Sequence, residues 1–237
     1  MCVQIPFKES CRAFWSLNNT LQNEFEGKEP IIIEKGETNF SLTEKAFRYT
    51  KFNNILKVIP EDIRSQDITL IFQTRKLELE NDELPNCSLF SFVKNGKLKL
   101  CIDFEQFDDY LCINVMEQPT RDKMETFVPI NTVTQDRWVT HVFVYEYSHK
   151  QMKYYINSTL ACVIDETVDM KMSDLYFNRE YSCNGLIRNI GVYDCALTYE
   201  QIKKLSYHNY YKKWTTTLWL KFIEFLYKDK KEMIPWI

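Results

Sequence analysis

Along most of the chain apolar residues alternate with polar ones in short runs, the period-two pattern of strands that bury one face. The run ITLIFQTRKLEL, residues 68–79, puts Ile68, Leu70, Phe72 and Thr74 on one side. Residues 88–93 and 97–104 are two more runs joined by Asn95-Gly96, a dipeptide suited to a tight hairpin turn with positive φ at both positions. Shorter runs predict strands at 10–17, at Ile31–Ile33, in the ILKVIP stretch that ends at Pro60, and at 110–115, 173–177 and 186–193. Residues 117–127 read as a polar loop, since Pro119 cannot sit in a central strand.

The stretch from Gln135 to Leu205 organises the rest. Strand 138–147 sets Trp138, Val142 and Val144 on one face and Val139, Phe143 and Tyr145 on the other. Two apolar faces fit a strand inside a two-sheet stack or under a covering segment. Lys153–Ile156 and Leu160–Ile164 flank Asn157-Ser158, a second hairpin. Thr198, followed by Glu200 and Gln201 and by Ile202 and Leu205, marks the start of a helix. A second helix is expected over 209–228. Closely spaced strands without intervening helices predict an all-β fold of two antiparallel sheets. Residues 1–206 would form the sandwich and residues 207–237 a helical extension.

Three blocks carry a family resemblance. Trp138-Val139-Thr140-His141-Val142-Phe143-Val144 is followed by Tyr155-Ile156-Asn157-Ser158. The last block runs from Gly185-Leu186-Ile187 through Val192-Tyr193-Asp194 to Ala196-Leu197-Thr198 and Glu200-Gln201-Ile202. This order resembles the laminin G-like, or concanavalin A-like, jelly roll, with Ser158 where that family commonly has Gly. The resemblance implies a two-sheet sandwich that binds glycans, proteins or lipids. No set of rim carboxylates matches the calcium site of some members, so neither a metal nor a cofactor is expected.

Composition narrows the class. Of 237 residues 45% are apolar and 15% aromatic, which suits strands around a sizeable core, and only 5 are Gly, so turns must use Asn, Asp and Ser. The net charge of −3 hides an asymmetry: Lys203–Ile237 carries eight Lys against Glu224, Asp229 and Glu232, so a weakly acidic sandwich precedes a basic, aromatic tail. That balance argues against nucleic acid as a partner. No basic segment with an adequate apolar run opens the chain, and no stretch approaches the ~18 apolar residues of a spanning helix. The expectation is an intracellular, cytoplasmic chain with Cys101, Cys112 and Cys162 as reduced, strand-borne core residues.

No motif points to catalysis. Glu105, Asp108 and Asp109 lack the spacing of a two-carboxylate glycosidase strand. His141, His149 and His208 have no metal-ligand spacing, and His141 is expected to be a strand histidine with satisfied hydrogen bonds. Cys183 and Cys195 bracket the Gly185 strand without C-x-x-C geometry. Four glycosylation sequons in an Asn-rich chain are discounted.

The tail is the least ordinary segment. On a helix Tyr211, Trp214, Leu218, Phe222 and Phe225 form one stripe, with Trp219, Ile223 and Leu226 near a second. It can pack on its own sandwich, dock on a protein partner, or lie on a membrane surface. The expected function is a non-catalytic binding or assembly module, with Trp214, Leu218, Trp219, Phe222, Ile223, Leu226 and Trp236 as the partner contact. The alternative is a lectin-like glycan site on the rim loops 105–109, 117–126 and 165–172.

Overall fold

The computed structural model describes residues 4–50, 54–58, 67–76, 86–105, 110–115, 124–129, 137–165, 171–179 and 184–206. The first strands are β1 (Cys11–Trp15), β2 (Ile32–Lys35), β3 (Phe40–Ser41), β4 (Ala46–Tyr49) and β5 (Ile55–Val58). Next come β6 (Ile68–Lys76), β7 (Asn86–Lys94), β8 (Lys97–Glu105), β9 (Tyr110–Val115) and β10 (Met124–Pro129). The last are β11 (Val139–Glu146), β12 (Gln151–Ile156), β13 (Thr159–Ile164), β14 (Asp174–Phe177) and β15 (Gly185–Tyr193), followed by helix α1 (Tyr199–Ser206).

These strands form two antiparallel sheets. One has the order β13-β12-β11-β6-β15-β4-β3, with β1 also paired to β15; the other has the order β10-β9-β8-β7-β14-β5-β2. The predicted all-β sandwich is what is observed. Leu70 and Phe72 of β6 and Val139, Phe143 and Tyr145 of β11 face Phe90, Phe92, Leu100, Ile102 and Phe177 of the opposite sheet in one buried core. Phe72, Phe90, Phe92, Phe143 and Phe177 interlock with ring centroids 5.2 to 6.0 Å apart. Burying each such ring stabilises the fold by ~1.5–3 kcal/mol, so this cluster sets the spacing of the sheets.

The far face of β11 is covered as its sequence requires. Val142 and Val144 are fully buried outside the inter-sheet core, and α1 lies against β11 with Ile202 and Leu205 buried. Thr198 and Gln201 cap α1 reciprocally: the Thr198 backbone N–H donates to Gln201 Oε1 at 2.9 Å, and Gln201 N–H donates to Thr198 Oγ1 at 3.4 Å.

Both predicted hairpins are present. Asn95 and Gly96 have φ of +52° and +73°, and Asn157 and Ser158 have +47° and +68°. Ser158 therefore holds the left-handed conformation without the freedom of Gly. Two expectations need correction. Residues 124–127 belong to β10 rather than to a loop, because METFVP pairs along its whole length with β9; β10 is an edge strand, where Pro129 at its end costs no interior ladder bond. The β3–β4 hairpin was not foreseen, since two strands of two and four residues are too short to show a period. The expected helix over 209–228 lies outside the described residues.

Candidate functional site

The chain crosses between the sheets twice in quick succession. It leaves β2 for β3 through residues 36–39, then leaves β4 for β5 in the other direction. The two crossovers touch backbone to backbone: a Cβ on Gly36 would stand 2.4 Å from the backbone nitrogen of Asn54. Gly36 has φ +96° there, a conformation that an L side chain rarely adopts. Asn54, only 4% exposed and itself at φ +71°, fastens the junction. Its Nδ2 donates to the Glu37 carbonyl, and its Oδ1 accepts from Thr50 Oγ1 at 3.2 Å. The Arg48 N–H donates to the Asn39 carbonyl at 2.8 Å and closes the base of the first crossover.

Between the crossovers lies an open cleft of about 440 Å³, lined by Gly36, Glu37, Thr38, Asn39, Thr50 and Asn54. Its volume falls in the range of small-ligand sites, but its lining is polar rather than apolar. Glu37, Thr38 and Asn39 are exposed, and among the described residues their side chains have no hydrogen-bond partner. A carboxylate that only accepts, a hydroxyl that does both and an amide that does both thus stand over a fixed floor.

The hairpin beneath the cleft is held at its other end. Glu44, in the β3–β4 turn, accepts from the Trp138 indole at 3.1 Å and pairs with Arg75 Nη1 at 2.8 Å. Arg188 donates to the Glu44 carbonyl at 3.1 Å and lies 3.8 Å from the Trp138 ring centroid. The Trp138 hydrogen bond and then the Arg75 guanidinium hold the Glu44 carboxyl below the usual carboxylate range, against the effect of burial. Arg188 is aimed here by a β-bulge in β15, where Asn189 has φ +53°. Because of the bulge, Arg188 Nε and Asn189 Nδ2 both donate to Gln73 Oε1, each at 2.9 Å.

His141 is a core residue rather than a base. It is fully buried, stacks on Phe72, and sits with Nε2 2.8 Å from Thr74 Oγ1 and Nδ1 2.7 Å from Tyr154 Oη. Burial lowers its pKa to about 3. Cys11 and Cys101 are buried, and burial pushes the Cys162 thiol up to about 12. Cys195 is a half-buried free thiol, and Cys112 and Cys183 are not among the described side chains. Among the described residues no group of three or more His, Cys, Asp or Glu is placed to hold a metal, and no helix is long and apolar enough to cross a membrane.

The sequence-predicted contact residues Trp214, Leu218, Trp219, Phe222, Ile223, Leu226 and Trp236 lie outside the described residues, as does most of the rim loops 105–109, 117–126 and 165–172. The cleft residues were not singled out from sequence. The signal the sequence offers is slight: a glycine followed by polar residues over 36–39, and Thr50 and Asn54 on either side of residues 51–53, which lie outside the described residues.

No family model matches the sequence, and no curated protein matches it. Among solved structures the chain is similar to the receptor binding domain of botulinum neurotoxin C/D mosaic serotype, with TM-score 0.64 and 12% identity over 84% of this chain and 51% of that one. It is similar to the binding domain of botulinum neurotoxin DC in complex with SialylT, with TM-score 0.64, 14% identity and coverage of 84% and 51%. It is likewise similar to that binding domain in complex with rat synaptotagmin II, with TM-score 0.62, 14% identity and the same coverage of 84% and 51%. The chain spans about half the length of these structures, and at such identities the likeness is one of fold.

Proposed function

We propose that this chain is a non-catalytic binding module of the laminin G-like type, and that it recognises glycans in the cleft between its two crossovers. The observation that carries this is the unpartnered set on Glu37, Thr38 and Asn39, above a floor that Asn54 has already fixed. Neighbouring sugar hydroxyls donate to a carboxylate and accept from an amide, so the donor and acceptor types match a saccharide edge. A rigid floor reduces the ordering cost of binding. The fold likeness supports a binding role, and one of the similar structures is a complex with SialylT. The test is a glycan array treated with the wild-type chain and with a Thr38→Ala, Asn39→Ala double variant. Hits that vanish in a variant of unchanged melting temperature are expected; an array without hits would refute the reading.

A second reading is favoured by the sequence of the tail. Its aromatic stripes suit docking on a protein partner, and one similar structure is a complex with rat synaptotagmin II. In that case Trp219 and Ile223 replaced by Ser abolish capture of the partner while the melting temperature stays nearly unchanged. Loss of folding instead would mean that the tail completes its own domain.

A further inference from the structure

We infer that Asn54 is the positioning residue of the cleft: its side-chain amide holds Glu37, Thr38 and Asn39 in the geometry that recognises a glycan. This rests on the glycan reading above and adds what keeps its site in register. Asn54 stands at φ +71° and is only 4% exposed. Gly, Asn and Asp are the residue types that take such a left-handed backbone most readily. The two side-chain hydrogen bonds narrow that choice. Oδ1 accepts from Thr50 Oγ1 at 3.2 Å, which turns Nδ2 to the Glu37 carbonyl, to which it donates. Gly has neither group and an ionised Asp has no donor, so of the three only Asn meets both partners.

The place of that grip matters. Residues 36–39 are exposed, and the Arg48 N–H on the Asn39 carbonyl ties their far end to β4. The Asn54 amide takes hold two residues earlier, at the Glu37 carbonyl. The peptide that precedes Thr38 and the peptide that follows Asn39 are therefore both fixed. With them is set the direction in which the three recognition side chains leave the backbone. A segment without the inner tie samples other conformations, and apparent affinity falls with the population of the competent one. One net hydrogen bond shifts such a balance by about fivefold.

The experiment compares the full wild-type chain with Asn54→Gly and Asn54→Asp. It reads backbone NMR order parameters of Glu37, Thr38 and Asn39 without ligand, and affinity for lactose and for the glycans found on the array. Asn54→Gly keeps the permitted φ and removes the amide. Its melting temperature should stay near that of the wild type, since relief at φ +71° offsets the lost bonds. Its order parameters should fall from about 0.85 towards about 0.6, and its affinity about fivefold or more. Asn54→Asp keeps φ and the acceptor for Thr50 but sets a carboxylate against the Glu37 carbonyl, so it should lose at least as much in both readouts. Should Asn54→Gly fail to fold, Asn54→Asp carries the comparison. A folded variant with affinity within about twofold of the wild type overturns the positioning role. So does lost affinity with unchanged order parameters, which would make Asn54 a direct ligand contact. If the wild type binds no glycan, the glycan reading fails by itself, and the order parameters of the free chain still decide whether the amide holds the segment.

Discussion

His141 gives the fold a pH dependence whose sign and size follow from its surroundings. It is fully buried between Thr74, Tyr154 and Phe72, and burial lowers its pKa to about 3. In the unfolded chain a histidine titrates near ~6.5. The folded pKa is thus the depressed one, so the unfolded state takes up the proton first. The stability tied to the neutral imidazole is fully present above the unfolded value and is lost as the pH falls towards the folded one. Each pH unit in that window costs up to about 1.4 kcal/mol, so this one group withdraws about 3 kcal/mol of stability by pH ~4.5. Replacing His141 by Gln removes the titration while keeping a donor and an acceptor for the two hydroxyls. The variant should be less stable at pH ~7.5 by about 1–3 kcal/mol, through lost stacking and imperfect hydrogen bonds. Urea unfolding at stepped pH reads both. The gap between wild type and variant should move by about 3 kcal/mol in the variant's favour from pH ~7.5 to ~4.5, closing or reversing, because carboxylates common to both cancel. A gap constant with pH in the His141 variant would refute the reasoning.

Three further changes test the framework of the fold. Thr198→Ala removes one half of the reciprocal cap on α1 and should cost ~0.5–2 kcal/mol in thermal or urea unfolding. Ser158→Gly relieves a left-handed backbone at φ +68° and should raise stability by up to about 1 kcal/mol; a lower melting temperature would contradict that strain. Gly36→Ala sets a Cβ against the Asn54 backbone at φ +96° and should cost about 1–3 kcal/mol while abolishing glycan capture.

Local signals carried far in this chain. Alternation in 68–79 assigned the inner face of β6 correctly, with Leu70 and Phe72 in the core, and the two apolar faces of 138–147 called for a two-sheet stack or a covering segment, where the structure has the opposite sheet on one side and α1 on the other. Asn95-Gly96 and the Thr198–Gln201 pair act over a few residues, so they were legible without tertiary information. What escaped depends on contacts between distant segments. The bulge at Asn189 serves a network with Gln73, 116 positions away in sequence, and no local pattern marks it. Strand β10 is held by pairing with β9 rather than by a strong period of its own. The cleft escaped for the same reason: Asn54 meets the Glu37 carbonyl across 17 positions, and only the topology reveals that Thr50 and Asn54 lie beside residues 36–39.

The most direct measurement is amide chemical-shift mapping of the full isotope-labelled chain during titration with lactose or with a neutral oligosaccharide identified on the array. Saturable shifts confined to Glu37, Thr38, Asn39, Thr50 and Asn54 and their immediate neighbours are the expected result. Saturable shifts centred elsewhere, on residues 207–237 or around Trp138 and Arg188, with the cleft amides unmoved, would contradict the cleft as the recognition site.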